Sequence, residues 1–409
     1  MLAWKRSRKV LLCVTGGIAA YKIPDLVSRL KKLDCEIETT MTRAAETLVS
    51  PLAISTLSGR QVWLEDDFLS SSRGFKIPHI SLADWAEVVV VAPCTANTAF
   101  GAAYGRGASI VEAALLATRA PVLLFPAMNA HMFDNPVTRQ NLGILAGRGM
   151  RVVDPEFGVL ACGYEGKGRL PDTSVILEEI FRALSPRRDM AGKRVLITAG
   201  PTREFLDPVR FISNPSSGKM GLAMARAAWY RGAEVRVVLG PVASTALENF
   251  HGLEIRTVVS AVEMRDAVME NLSWADCVVK AAAVGDYRAS HVAGHKIKRE
   301  AQQEKSSELS LTLEQNPDIA AEVGAAKRRD QLLIGFAAET DDLVKNARAK
   351  IERKGLDLIL ANDVSAPDGG FGSDFNTVRM ISRTGDEAAI SGSKEEVADA
   401  VWEKVADLF

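Results

Sequence analysis

No apolar run in this sequence approaches the roughly 20 residues of a membrane-spanning helix, so no transmembrane segment is expected. The basic start, Met1-Leu2-Ala3-Trp4-Lys5-Arg6, leads straight into a strand-like stretch. It lacks a separate apolar segment with a cleavage site, so no signal peptide is expected. Cysteine is scarce: five scattered residues, an odd number, argue against a disulfide framework and for a reduced, cytoplasmic setting. Charge of one sign is lacking as well. Lys and Arg number 50 against 51 Asp and Glu, for a net charge of −1. General affinity for nucleic acid or acidic membranes is therefore not expected, and any phosphate recognition must come from local clusters. The five histidines show no metal-type spacing with one another or with cysteine, so no zinc site is expected. The dinucleotide fingerprint G-x-G-x-x-G is missing, which argues against an NAD-type oxidoreductase.

What is present is length and apolar content: 409 residues, 47% hydrophobic, enough for more than one core. The chain is organised around Arg194–Gly221, RVLITAGPTREFLDPVRFISNPSSGKMG. A strand at Val195–Thr198 breaks at Ala199-Gly200-Pro201. A polar loop follows, and Ser216-Ser217-Gly218-Lys219 opens a helix reaching about Arg231. Strand, loop and helix N-terminus in that order suit an anion, because free N–H groups and the positive dipole end face the loop. The order occurs once before, at Val10–Val14, Thr15-Gly16-Gly17 and a helix to about Lys32. The expected fold is α/β: two tandem doubly wound, Rossmann-like domains with mainly parallel sheets, residues 1–189 and 190–409. The boundary lies near Ser185-Pro186-Arg187-Arg188-Asp189.

In the first half, strands are expected at Val10–Val14, Glu36–Thr40, Glu87–Ala92, Val122–Phe125 and Arg151–Val153, with helices between them. In the second half, strands are expected at Val195–Thr198, Glu234–Leu239, Asp276–Ala281, Leu332–Phe336 and Asp357–Leu360. Helices are expected at Lys219–Arg231, Ala261–Asn271, Pro317–Ala325, Asp341–Lys354 and Lys394–Asp407. Residues 286–310 are basic and weakly periodic, as in a flap or substrate loop.

Chemistry-bearing residues gather at strand ends, where doubly wound sheets bind ligands. Gly16 and Gly17 form a tight turn suited to one phosphate. Pro93, Thr95, Ala96 and Asn97 follow the Val88–Val91 run; the hydroxyl and amide suit a phosphate or ring heteroatoms, and equally a helix cap. Asn129 sits in a Phe125–Phe133 loop with apolar neighbours and can hold a carboxylate or an amide. Cys162 lies in a glycine-dense loop, Gly158–Arg169, where a thiol can donate a proton or act in redox chemistry. His79 has the intrinsic pKa for proton transfer, or it is structural.

The blocks GGIAAYK, H-I-x-L, A-P-x-T-A-N, P-A-M-N-x-x-M and A-C-G-x-x-G-x-G-R occur in the order seen in the flavin-dependent cysteine decarboxylases. The first half resembles the phosphopantothenoylcysteine decarboxylases. The resemblance implies FMN held between subunits of a trimer-based oligomer. It implies oxidation of the cysteinyl thiol end to a thioaldehyde-type species, loss of carbon dioxide and return of the hydride. By motif position Cys162 would be the proton donor, Asn129 would hold the substrate carboxylate, and His79 would assist at the flavin. Cys94 departs from the Ala usual in the family.

The blocks T-R-E-x-L-D-P-V-R-x-I-S-N, S-S-G-K-M-G, A-A-V-x-D-Y, K-I-K, N-P-D-I, G-F-A-A-E-T and A-N-D-V resemble the CTP-using phosphopantothenate–cysteine ligases of bacteria. That resemblance implies carboxylate attack on the α-phosphorus of CTP, an acyl-cytidylate, loss of pyrophosphate and attack by the cysteine amine. By motif, Asn214 and Arg210 would hold the acyl-cytidylate. Ala281, Ala282, Asp286, Lys296, Pro317, Asp318, Ile319, Ala320, Phe336, Lys350 and Lys354 would contact CTP. Mg²⁺ would accompany the triphosphate near Asp286, and the domain would be a dimer. Together the halves imply a bifunctional enzyme of coenzyme A biosynthesis. The alternative is a flavin-binding regulatory protein without turnover.

Overall fold

The computed structural model describes residues 2–68, 77–243, 251–297, 310–339, 343–363, 372–385 and 387–409. Its contacts divide the chain into two compact units, Leu2–Pro186 and Arg187–Phe409.

The first unit is built on a five-stranded, all-parallel sheet. Its strand order is Glu36–Met41, Lys9–Val14, Val88–Cys94, Val122–Pro126 and Arg151–Val152. Residue parity explains why Val88–Val91 is an unbroken apolar run. Val10, Leu12, Val88 and Val90 pack into one core. Leu11, Cys13, Val89 and Val91 pack into another on the opposite face. The expected strands are present to within a few residues. One element was not expected: the glycine-dense stretch forms an antiparallel hairpin, Glu156–Val159 with Glu165–Arg169.

The second unit holds an eight-stranded sheet. Six strands are parallel, in the order Glu254–Thr257, Glu234–Leu239, Arg194–Ala199, Cys277–Lys280, Leu332–Glu339 and Leu358–Asp363. Phe375–Ser382 and Glu387–Ser393 then extend the edge in antiparallel fashion, a pair not read from the sequence. The helix Lys394–Val405 returns over the sheet, and the Trp402 indole donates to the Met224 carbonyl at 2.8 Å. Arg231 is buried at the end of the Lys219–Tyr230 helix, between Asp189 and Asp399. The expected helix at 317–325 runs Ile319–Ala326, because the Asp318 carboxylate caps it by accepting the Ala321 N–H. Of the expected flap, Tyr287–Ala289 pairs with Leu313–Gln315, and residues 298–309 lie outside the described residues. The expected helix over 341–354 is described from Leu343. Among the described residues no helix is long and apolar enough to cross a membrane.

Candidate active sites

Strand order fixes where each crevice opens. In the first unit the chain leaves Lys9–Val14 towards one side of the sheet and returns to Val88–Cys94 on the other. The loops after these two strands therefore diverge and leave a gap between them. The Thr15 hydroxyl spans that gap, donating to the Pro93 carbonyl at 2.7 Å and accepting the Thr95 N–H at 3.2 Å. Above it lies a cavity of about 530 Å³, lined by Gly16, Gly17, Thr95, Ala96, Asn129 and Cys162 among others. That volume is within the roughly 300–1,000 Å³ of small-molecule sites. A Cβ on Gly16 would meet the Ala44 Cβ at 2.4 Å, and one on Gly17 would meet the Pro93 ring at 3.1 Å. The turn sinks this deep only because both residues lack side chains.

Of the residues expected at a cofactor, Gly16, Gly17, Thr95 and Ala96 line the cavity. Pro93 lies beneath Gly17. Asn97 does not line it; its side-chain oxygen accepts from the Arg106 guanidinium at 3.4 Å.

The hairpin brings Cys162 to the cavity. Gly168 accepts the Met128 N–H at 3.0 Å, and a Cβ on Gly168 would stand 2.2 Å from the Met128 oxygen. This close approach seats the hairpin against the Asn129 loop. The Asn129 side-chain oxygen caps the helix Ala130–Asp134 by accepting the His131 N–H at 2.9 Å. Its amide nitrogen is thereby turned towards the Cys162 sulfur, 3.2 Å away. The Tyr164 backbone N–H, and after it this amide, hold the thiol below its usual pKa. The other four cysteines are buried. His79 is not brought into this cavity. It lies on the helix Pro78–Trp85, edge-on to Phe68, and its buried Nδ1 has no hydrogen-bond partner among the described residues.

In the second unit the gap falls between Arg194–Ala199 and Cys277–Lys280. Threonine bridges it again: the Thr202 hydroxyl accepts the Gly285 N–H at 3.0 Å, and the Thr198 hydroxyl accepts the Ala282 N–H at 3.2 Å. A cavity of about 1120 Å³ lies alongside, lined by Arg203, Asn214, Ser216, Ser217, Lys219 and Lys394 among others. The Lys219–Tyr230 helix starts at its wall, after Gly218 in the left-handed conformation at φ 75°. Lys219 pairs with Asp374 at 2.6 Å. Burial, and after it the neighbouring Lys219, pushes the Lys394 amine below its usual pKa.

Asn214 stands at the rim and donates to the Val284 carbonyl at 3.1 Å. Around that turn the structure gathers most of the residues expected at CTP. Asn316 donates its side-chain amide to Gly285 and its backbone N–H to Asp286. This carries Pro317, Asp318, Ile319 and Ala320 to the Ala281–Asp286 turn, and Lys354 reaches Asp318 at 3.0 Å. Lys350 lies one helical turn before Lys354. Phe336 is half-buried on the strand next to Cys277–Lys280. Arg210 does not line the large cavity. It lies on the exposed turn closed by Asp207, whose fully buried carboxylate accepts N–H groups from Val209, Arg210 and Ile297. Burial alone would raise the Asp207 pKa, but these N–H donors and the Arg210 charge hold it below the usual range. The same bonds tether Lys296 beside that turn.

The sequence alone does not mark Thr15, Thr202 and Asp207 as site residues. Each follows a strand end or lies in the long polar loop, and that position was the available signal. Among the described residues no three His, Cys, Asp or Glu side chains gather in metal-binding fashion.

Residues 3–185 match the Flavoprotein family, and residues 190–408 match the DNA/pantothenate metabolism flavoprotein C-terminal domain family. The Coenzyme A biosynthesis bifunctional protein CoaBC of Bacillus subtilis (strain 168) is 42% identical over 406 residues, covering 98% of this chain and 97% of that protein. Among solved structures, the C-terminal domain of a CoaBC protein is 38% identical with a TM-score of 0.45, over 54% of this chain and 97% of that one. The FMN-dependent cysteine decarboxylase SpaF is 28% identical with a TM-score of 0.39, over 44% of this chain and 99% of that one.

Proposed function

This chain belongs to the coenzyme A biosynthesis bifunctional protein family, and on that premise we propose where its two activities are carried out. The protein is a bifunctional enzyme with a flavoprotein decarboxylase half and a ligase half. The ligase joins cysteine to 4′-phosphopantothenate at the expense of CTP. The decarboxylase converts 4′-phosphopantothenoylcysteine to 4′-phosphopantetheine.

In the first unit the flavin is FMN, held over the Thr15–Pro93 floor. The sunken Gly16-Gly17 turn and the cavity volume fit a flat ring with a phosphate tail. When bound, it supplies a two-electron acceptor for the thiol end of the substrate. Asn129 holds the substrate carboxylate beside that end. Cys162 keeps a proton at Sγ and delivers it after carbon dioxide has left. A thiolate stabilised by the Tyr164 N–H and the Asn129 amide makes Cys162 a better acid at neutral pH. The cavity rim is apolar and exposed at Ile18, Tyr21, Met132 and Val159, which favours a wall completed by a second copy. His79, outside the cavity of its own chain, then serves the cavity of a neighbouring copy in a homo-oligomer.

In the second unit the start of the Lys219 helix and Arg203 receive the anionic end of phosphopantothenate. CTP lies along the Ala281–Asp286 turn, with Pro317–Ala320, Phe336, Lys296, Lys350 and Lys354 around it. Asn214 stands between the two reactants and, with Arg210, holds the acyl-cytidylate. Mg²⁺ enters on the triphosphate, with the exposed Asp286 carboxylate beside it. The five scattered cysteines, an odd number, support a reduced, cytoplasmic setting for both reactions.

The observation that carries the decarboxylase reading is the 3.2 Å approach of the Asn129 amide to Cys162 at a cavity wall. The test is a mass-resolved product assay with phosphopantothenate, CTP and cysteine on the FMN-loaded protein. Phosphopantetheine should accumulate. Accumulation of phosphopantothenoylcysteine alone would support instead a flavin-binding first unit without turnover.

A further inference from the structure

Lys280 ends the Cys277–Lys280 strand at the centre of the second sheet, yet it is a lysine only 8% exposed. Its Nζ is buried and has no hydrogen-bond partner among the described residues. A charged amine without a partner is costly at such depth. Alternation along the strand gives Lys280 the same face as Val278. There Val278 packs in a core with Ile319 and Val323 of the Ile319–Ala326 helix and with Ala347 and Ile351 of the Leu343–Lys354 helix. Its strand neighbours are Thr198 and Gly335, neither of them charged. The charges that reach it are Asp318, at the N-cap of the first helix, and Lys354, at the end of the second. Asp318 already accepts the Ala321 N–H and pairs with Lys354. A helix N-terminus, Lys354 and a buried amine thus converge on one carboxylate that is already shared.

We propose that Lys280 is a positioning residue for an anionic group of the nucleotide, docked at the start of the Ile319–Ala326 helix and closing on the orphaned Nζ. This rests on the placement of CTP along the Ala281–Asp286 turn. Burial lowers the Lys280 pKa to about 7; Asp318 acts in the opposite direction, and Lys354 adds to the lowering. The free protein therefore holds a mostly neutral amine above that pH. An arriving phosphate favours the charged form, so binding draws a proton from solvent onto Nζ and no bond to phosphorus is made or broken.

The test is CTP binding with MgCl₂ to the full FMN-loaded chain, without phosphopantothenate. It is followed by titration calorimetry in buffers of different ionisation enthalpy between pH 7 and 9. At pH 8 the wild type should take up nearly one more proton per CTP than Lys280→Met. At pH 7 the variant should bind about tenfold more weakly, the scale of a lost charged hydrogen bond. That gap should narrow as pH rises, because protonating Nζ then costs more. The methionine variant removes a buried charge at similar volume, and the wild-type proton count needs no variant at all. Equal affinity and equal proton uptake in both proteins, with Lys354→Met still weakening CTP, would overturn the role of Lys280 and leave the nucleotide placement standing. If Lys280→Met, Lys296→Met and Lys354→Met all bind CTP as the wild type does, the placement itself fails, and this inference fails with it.

Discussion

The Asn129 amide nitrogen lies 3.2 Å from the Cys162 sulfur, and its direction is fixed because the other end of the amide caps the Ala130–Asp134 helix. One side chain thereby couples a helix terminus to a thiol on a separate hairpin. The first prediction concerns this pair. Cys162 is the one exposed cysteine of five. Iodoacetamide should label it once, with a rate midpoint below that of an ordinary thiol. Asn129→Ala removes a hydrogen bond to the thiolate, so the midpoint rises and labelling at pH 7 slows. An unchanged midpoint would show that backbone N–H groups, that of Tyr164 first, set the thiol without the Asn129 amide.

Replacing Cys162 by Ser leaves a hydroxyl that is a far poorer acid. Phosphopantetheine formation should fall by about 100-fold or more, the usual weight of a positioned proton donor. Carbon dioxide release from a single turnover should persist. Ligase activity, followed by pyrophosphate release, should match the wild type. Equal loss of both activities in a folded variant would contradict separate sites.

Asn214→Asp puts a negative charge at the rim of the second cavity, where the amide now donates to the Val284 carbonyl. Amide formation should fall by about 100-fold, as misplaced reactants demand. Decarboxylation of supplied phosphopantothenoylcysteine should be unaffected. Comparing pyrophosphate release with and without cysteine separates the activation step from the amide-forming step.

Arg231 is 1% exposed and holds Asp189 and Asp399 from opposite sides. Arg231→Met leaves two carboxylates without their cation and should destabilise the second unit by about 3 kcal/mol. Urea unfolding followed by ligase activity should show a lower midpoint. FMN absorbance, reporting the first unit, should keep its own transition.

The parallel sheets were legible because their strands are doubly covered and read as continuous β-branched or aliphatic runs, Val88–Val91 above all. The doubly wound order followed from alternation with amphipathic helices. Other elements were hidden for physical reasons. Glu165–Arg169 alternates glycine with charge and carries no apolar signal; it forms a strand because Gly166 and Gly168 let it lie against the Asn129 loop. Phe375–Ser382 buries Asn376 and Val378 on one face, but a polar residue within the covered face masks the period. Cys162, Asn129 and Asn214 stood out by motif. Lys280 did not, because a lysine at a strand end reads as solvated, and only the packing of two helices over it shows otherwise.

The paired threonine bridges have a mechanical consequence. Thr15 in one unit, and Thr198 with Thr202 in the other, turn two separate loops into a closed ring of covalent and hydrogen-bonded links. A ring of this kind resists hinging, so the base of each crevice behaves as an anvil. Any opening that admits substrate to the first unit then falls to the Cys162 hairpin, which lies outside that ring.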